Sequence, residues 1–252
     1  MKDEQARSQF HRDTLKQFRS NRPIQWSEIN EEIINYCNQL NQDEVVLLDA
    51  GAGEGRYKKI LEPVSSLKYI GVDTGVASDE WDFSGVIDAD LTNLDFLADC
   101  TVDVVILIQV LSHVPDLRAA LLEISRVLKP EGAIFCTTQN MQSLTHVPYD
   151  FRRLTAYGIA YNFKEVGVDL VTISPLLYGD NVSAIKQTQF AIKNTLQYGE
   201  SNSIFKRVWL RSMFYIFKGF EIIMRYFDKD FGMPINPIGY YAVLVKSLKI
   251  NE

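Results

Sequence analysis

Asp49-Ala-Gly51-Ala52-Gly53-Glu-Gly55 follows directly on a short apolar run, EVVLL at 44–48. Glycines there let backbone N–H groups and the start of a following helix come close to a ligand. The spacing is GxGxG after an acid. The dinucleotide fingerprint GxGxxG needs glycine at 56, where the chain has Arg56, and this weighs against a nicotinamide enzyme. Two more acids stand in similar places. Asp73 ends a second apolar run, 24 residues after Asp49, and Asp90 follows a third. An acid at the end of the second strand of such a unit can accept both hydroxyls of a ribose. One after the third strand can accept from the exocyclic amine of adenine. Any one of these acids alone reads as a solvated loop residue. Three, at the ends of three successive runs, are hard to dismiss. For proton transfer near neutral pH the chain offers His11, His113 and His146. His113 and His146 each follow an apolar run, whereas His11 lies in a polar N-terminal stretch.

These residues need a scaffold, and the apolar patterning supplies one. Trp26 to Leu40 reads as a helix with Ser27 as its N-cap. Strands are expected at 44–51, 67–73, 85–89, 102–108, 133–138, 168–174 and 240–246, the fourth being VDVVILI. Helices are expected from Arg56 to Glu62, from Asp116 to Leu128, and from a Thr155 cap to Val166, with Gly167 closing the last. Lys129-Pro-Glu-Gly132 reads as a turn. Alternating strands and helices imply an α/β fold: a doubly wound, Rossmann-like, seven-stranded, mostly parallel sheet with helices on both faces. Ligands of such a sheet bind at the carboxyl ends of the strands. About 65 residues separate the last two strands, too many for a plain connection, so a helical insertion is expected at 175–239. The chain then divides into an N-terminal helical arm (1–43), a cofactor-binding core (44–174), the insertion, and a last strand (240–246), all within one domain.

The ordered motifs DAGAGEG, VD at 72–73, DLTNLDF at 90–96, DVVILIQVLSHV at 103–114 and RVLKPEGAIF at 126–135 resemble those of class I S-adenosylmethionine-dependent methyltransferases. The resemblance covers roughly residues 44–174 and is closest to small-molecule enzymes with an LEHV-type segment after the fourth strand. It implies S-adenosylmethionine as cofactor and S-adenosylhomocysteine as product. Asp49, Gly51, Ala52, Gly53 and Gly55 would hold the methionine and ribose part. Asp73, followed by Thr74, would take the ribose hydroxyls, Asp90 and Leu91 would flank the adenine, and Gln109 and Val110 would line the sulfonium side. Two residues depart from the pattern: Ser112 stands where the family usually has Glu, and Glu131 where it often has Gly.

Methyl transfer to a hydroxyl gains from a general base, for which His146 and His113 are the candidates. The segment HVPYDFRRLT at 146–155 resembles a stretch of methyltransferases linked to bacterial surface-glycan pathways. Tyr149, Asp150, Arg152 and Arg153 are its candidate acceptor contacts, and a loop pinned by its own ion pairs is the alternative. The expected reaction is O-methylation of a small molecule or glycan. The alternatives are N- or C-methylation of a metabolite and an inactive scaffold that binds cofactor.

Composition narrows the partners. The net charge is -6, residues 43–103 carry 14 acids against 4 bases, and no NPPY- or DPPY-type segment follows the fourth strand, all of which disfavours nucleic acid. Three scattered cysteines show no metal-ligand spacing and read as reduced, mostly buried thiols of a cytoplasmic protein. No signal peptide is expected from the polar N-terminus. Ile204 to Met224 is the most apolar window, yet it contains Lys206, Arg207, Arg211, Lys218 and Glu221, too many charges for a spanning helix. On a helical wheel Phe205, Trp209, Met213, Ile216, Phe220, Ile223 and Phe227 fall in one arc. Lys206, Arg207, Arg211, Lys218 and Arg225 fall in another. The segment 204–227 therefore suits either a membrane surface or a dimer contact.

Overall fold

The computed structural model describes residues 24–74, 85–142, 144–177, 180–198, 204–227 and 237–247. In chain order the elements are α1 (Trp26–Gln39), β1 (Val45–Ala50), α2 (Arg56–Ile60), β2 (Leu67–Asp73), β3 (Val86–Asp88), β4 (Val102–Ile108), α3 (Leu117–Val127) and β5 (Leu128–Gln139). There follow α4 (Ala156–Lys164), β6 (Val168–Pro175), α5 (Asp180–Tyr198), α6 (Ile204–Phe227) and β7 (Gly239–Lys246). The seven strands form one sheet in the order β3-β2-β1-β4-β5-β7-β6. The first five run parallel, and β7 lies antiparallel between β5 and β6. Strand order reverses between β1 and β4, which opens a crevice at their carboxyl ends. The glycine loop and Gln109 leave the sheet at that crevice.

Period-two alternation sends side chains to two cores. Leu48, Val105, Leu107, Ile134 and Cys136 face α3 and α4, packed with Leu121, Ile124, Ile159 and Phe163. Leu47, Val104, Ile106 and Phe135 face α1 and α2, packed with Ile29, Ile33, Cys37 and Leu61. Helices therefore cover both faces, as the patterning implies. The acid-rich connection after β3 is braced by Arg126, which donates to the carbonyls of Leu94 (3.0 Å) and Leu97 (2.9 Å) and pairs with Asp99 and Glu123. That brace fixes the stretch carrying Asp90 and Leu91 against α3.

Two local expectations need correction. The α1 cap is Gln25, whose backbone and side chain form a capping box with Glu28, so Ser27 lies inside the helix. Lys129 to Gly132 is a bulge within β5 rather than a turn between elements: β4 pairs Val102 with Leu128 and then Val104 with Ala133. Glu131 takes the positive φ (63°) that the extra residues require. The thiols are mostly buried, as expected: Cys37 and Cys136 are buried, Cys100 is exposed, and all three are free. Between β6 and β7 lie two helices, α5 and α6, which pack on each other.

Candidate active site

The first cavity, about 280 Å³, lies at the carboxyl end of β1 and is lined by Trp26, Asn30, Asp49, Gly51, Ala52, Arg56, Tyr57, Ile108 and Gln109. Its floor is the glycine loop. Gly51, Gly53 and Gly55 all have positive φ (84°, 54° and 70°), and Gly55 is the N-cap of α2. The Gly51 and Ala52 amides donate to the Val72 carbonyl at 2.8 and 2.9 Å, so the loop is tied to β2. At the end of β2, Asp73 accepts from the Gly53 amide (2.7 Å) and the Thr74 amide (2.7 Å). Asp73 thus sets the loop's shape from the adjacent strand. Asp90 accepts from the backbone and hydroxyl of Thr92, each at 2.8 Å, and Leu91 is buried beside it. Leu91 therefore offers an apolar surface and Asp90 a carboxylate at the end of the third strand.

Asp49 is 2% exposed and accepts from the Tyr69 hydroxyl at 2.5 Å. Burial, opposed by that hydrogen bond and reinforced by the charge of Asp73, pushes its pKa up to about 7. Tyr69 in turn is pushed far above the usual phenol range by burial and by Asp49, so it remains the donor. The folded protein holds the Asp49 proton more tightly than the unfolded chain does, so its contribution to stability declines as pH rises from about 4 to about 7. Asp49→Asn is expected to remove that decline. Thermal melts should show the variant gaining on the wild type by a few degrees between pH 4 and 7, with no further gain above. A constant difference across that range would show that Asp49 titrates elsewhere.

The second cavity, about 350 Å³, is lined by Trp26, Gln109, His113, Thr138, Gln139, Gln142, Thr145, His146, Leu176, Leu177 and Ile238. Trp26 and Gln109 line both cavities. Gln109 sits in a positive-φ turn (63°) after β4, where its side-chain amide and backbone N–H donate to the Thr137 hydroxyl at 3.1 and 3.0 Å. Val110 follows it and lies directly against Gly51. The two predicted histidines meet in the second cavity, their ring centroids 4.9 Å apart and edge to face. His113 Nδ1 lies 2.7 Å from the Tyr149 carbonyl. A carbonyl only accepts, so Nδ1 carries the proton and Nε2 is the basic nitrogen of the neutral ring.

In the loop at 146–153 the charged side chains are engaged with the protein itself, the second of the two arrangements their residue types allow. Asp150 pairs with Arg153 and accepts from the Thr145 amide at 2.7 Å, and Arg153 holds its carboxyl well below the usual range. Arg152 donates to the carbonyls of Leu111 (3.0 Å), Val114 and Pro115 (2.8 Å). Arg152 thus joins the loop to the segment after β4, Asp150 and Arg153 pin the loop to its own stretch at Gln142 and Thr145, and these three residues are not among those lining either cavity. Tyr149 is exposed, and its carbonyl rather than its ring orients His113. Thr145 and His146 are the parts of the loop that reach the cavity.

Trp26, Asn30, Thr138 and Gln139 join the site although none of them reads as a site residue in the sequence. Asn30 Oδ1, Thr138 Oγ1 and Gln139 Oε1 are buried without a hydrogen-bond partner. Buried polar atoms of this kind ordinarily have one, so these three suit bound ligands. A signal was present for two: Thr137-Thr-Gln-Asn140 is a polar run at the end of a strand otherwise as apolar as AIFC. The glycine floor, the buried carboxylate and the orphaned Asn30 oxygen fit an amino-acid-bearing nucleoside ligand.

Residues 48–136 match a family model described as a methyltransferase domain. No curated protein matches the chain significantly in sequence. Among solved structures the fold is similar to that of a SAM-dependent methyltransferase from Archaeoglobus fulgidus (TM-score 0.52, 16% identity, 86% of this chain and 94% of that one). It is also similar to a Haemonchus contortus phosphoethanolamine N-methyltransferase 2 in complex with S-adenosyl-L-methionine (0.52, 16%, 88% and 53%). A third is the [4+2]-cyclase SpnF (0.54, 16%, 91% and 85%).

Proposed function

We propose that the chain, whose residues 48–136 match a methyltransferase-domain model, is a class I S-adenosylmethionine-dependent methyltransferase and that it methylates a hydroxyl of a neutral, polyhydroxylated small molecule or glycan. The second cavity carries this reading. It shares Trp26 and Gln109 with the cofactor cavity, and among the described residues its lining has amides, hydroxyls and two imidazoles but no carboxylate. An amine acceptor arrives as a cation and calls for an acid or an aromatic cage. Amides and hydroxyls suit an acceptor that both donates and accepts hydrogen bonds, and Trp26 gives the apolar face of a sugar ring a surface to lie on.

When bound, the cofactor supplies an activated methyl group on sulfur. Asp49 in its ionised form, the Gly51–Gly55 loop and Asn30 would hold the methionyl end, with Asp73 and the Asp90–Leu91 pair at the nucleoside end. A cation beside Asp49 draws its pKa back down, so ligand binding and ionisation of Asp49 reinforce each other. Gln139, Thr138 and Thr145 would orient the acceptor. His113 Nε2 would take the hydroxyl proton, with its ring fixed by the Tyr149 carbonyl. Positioning the acceptor in line with the sulfur–methyl bond is the larger share of the chemistry.

Calorimetric titration with S-adenosylhomocysteine, with NADH as control, tests the cofactor half. Micromolar binding is expected, weakened at least tenfold by Asp73→Ala, because that variant loses a ribose acceptor and releases the Gly53 amide. Transfer of labelled methyl to sugars, with the product's linkage read by mass spectrometry and alkaline stability, tests the acceptor half. Labelling of nitrogen alone would overturn O-methylation.

A further inference from the structure

The α6 helix divides its circumference into three sectors at about 100° per residue. One sector packs on α5: Leu210, Phe214, Phe217 and Met224 are half-buried, and Glu221 is buried. In that sector Glu221 pairs with Lys186 (2.9 Å) and accepts from Gln189 (3.1 Å) on α5. The next sector is cationic, with Arg207, Arg211 and Lys218 exposed. The third is apolar and open to solvent: Phe205 is 85% exposed, Trp209 61%, Ile216 51%, Phe220 49% and Ile223 53%, with Val208, Tyr215 and Ile222 beside them. Among the described residues no helix is long and apolar enough to cross a membrane.

We propose that this face of α6 docks the enzyme on an anionic membrane surface, lying in the interface rather than spanning it. The charge arrangement selects this occupant. The helix has one acid, Glu221, and it is turned into the α5 contact and neutralised there, so the charged side chains described on the solvent side of α6 are all cationic. Val208, Tyr215 and Ile222 adjoin that cationic stripe and link it to the exposed Phe205, Trp209 and Phe220 on the far side of the apolar sector. The apolar sector can enter the headgroup boundary while the basic stripe meets lipid phosphates. A second copy of the chain would bring the same positive stripe against itself, an arrangement that repels at low salt. Docking also places the chemistry: α5 and α6 leave the sheet at Leu176 and Leu177 and return at Ile238, and all three line the acceptor cavity. A lipid-borne acceptor would therefore reach the site beside the docked helix.

Flotation of the full chain with phosphatidylcholine vesicles containing about 30% phosphatidylglycerol tests this at low salt. Most of the protein should float with them, and little with pure phosphatidylcholine. Binding should fall roughly tenfold in about 0.5 M salt and in an Arg207→Glu, Arg211→Glu double variant. A blue shift of tryptophan fluorescence on binding should vanish in Trp209→Phe. Unchanged S-adenosylhomocysteine binding in these variants would certify their fold, independently of the vesicle result. Equal flotation with neutral vesicles, or none with anionic ones, would overturn the proposal. So would a stable dimer, seen by light scattering without lipid, that Trp209→Ser dissociates.

Discussion

Gly51→Ala should weaken S-adenosylhomocysteine binding about a hundredfold while leaving a folded protein. Gly51 has φ 84°, a conformation that costs an alanine about 1–2 kcal/mol. A Cβ built there would stand 2.4 and 2.7 Å from the two methyl carbons of Val110. No side chain tolerates that approach, so Val110 or the loop must move, at an overpacking cost of about 1–3 kcal/mol. The combined strain stays below the roughly 5–15 kcal/mol that hold a domain together. Movement of Val110 carries Gln109 with it, and Gln109 lines both cavities. A tenfold loss of affinity corresponds to about 1.4 kcal/mol, so a hundredfold loss needs about 2.8 kcal/mol, which most of the combined strain of roughly 2–5 kcal/mol supplies when it is expressed in the bound state. Gly53→Ala is the matched control. Its φ is 54°, but nothing lies within 4 Å of the added carbon, so the loss should stay near tenfold. Calorimetry on both variants decides: equal losses would show that backbone conformation, and not the Val110 contact, governs the loop.

The sheet was legible in the sequence because a parallel strand buried on both faces is written as an unbroken apolar run. VDVVILI and the EVVLL segment needed no further context, and the acids and glycines that follow such runs fall at the ligand-binding edge by topology alone. Trp26 and Asn30 were not legible as site residues. Their positions on α1 fix a helix face, but which strand end that helix covers is decided by long-range packing of Ile29 and Ile33. For a related reason the sequence left two readings of the charged loop open. Arg152 is matched by three carbonyls some 37 to 41 residues upstream, and backbone acceptors leave no trace in residue type. Around β5, Lys129-Pro-Glu-Gly132 has turn chemistry, and only the paired register of β4 shows that the strand continues through it as a bulge. The acidic side chain of α6 shows the same limit: Glu221 interrupts a cationic face on a wheel, and its burial against Lys186 appears only once α5 is placed.

His113→Ala should lower kcat by two to three orders of magnitude with little change in cofactor affinity, a loss of the size that general-base catalysis contributes. Geometry singles out His113 over its neighbour. The Tyr149 carbonyl fixes its tautomer and leaves Nε2 basic, whereas His146 is held edge-on against it across 4.9 Å. His146→Ala should therefore cost about tenfold, through a looser His113 ring. Alanine at 113 alone does not separate a base from a brace, since it also drops the bond to Tyr149. His113→Asn does: its amide can still donate to that carbonyl, but it has no basic nitrogen. If His113 is the base, the asparagine variant stays as slow as the alanine one, and added imidazole restores part of the rate in His113→Ala alone. Recovery of the rate in His113→Asn, without imidazole, would make His113 a positioning residue for the 146–153 loop. Proton removal would then fall to His146 or to solvent, and the larger loss would be seen in His146→Ala.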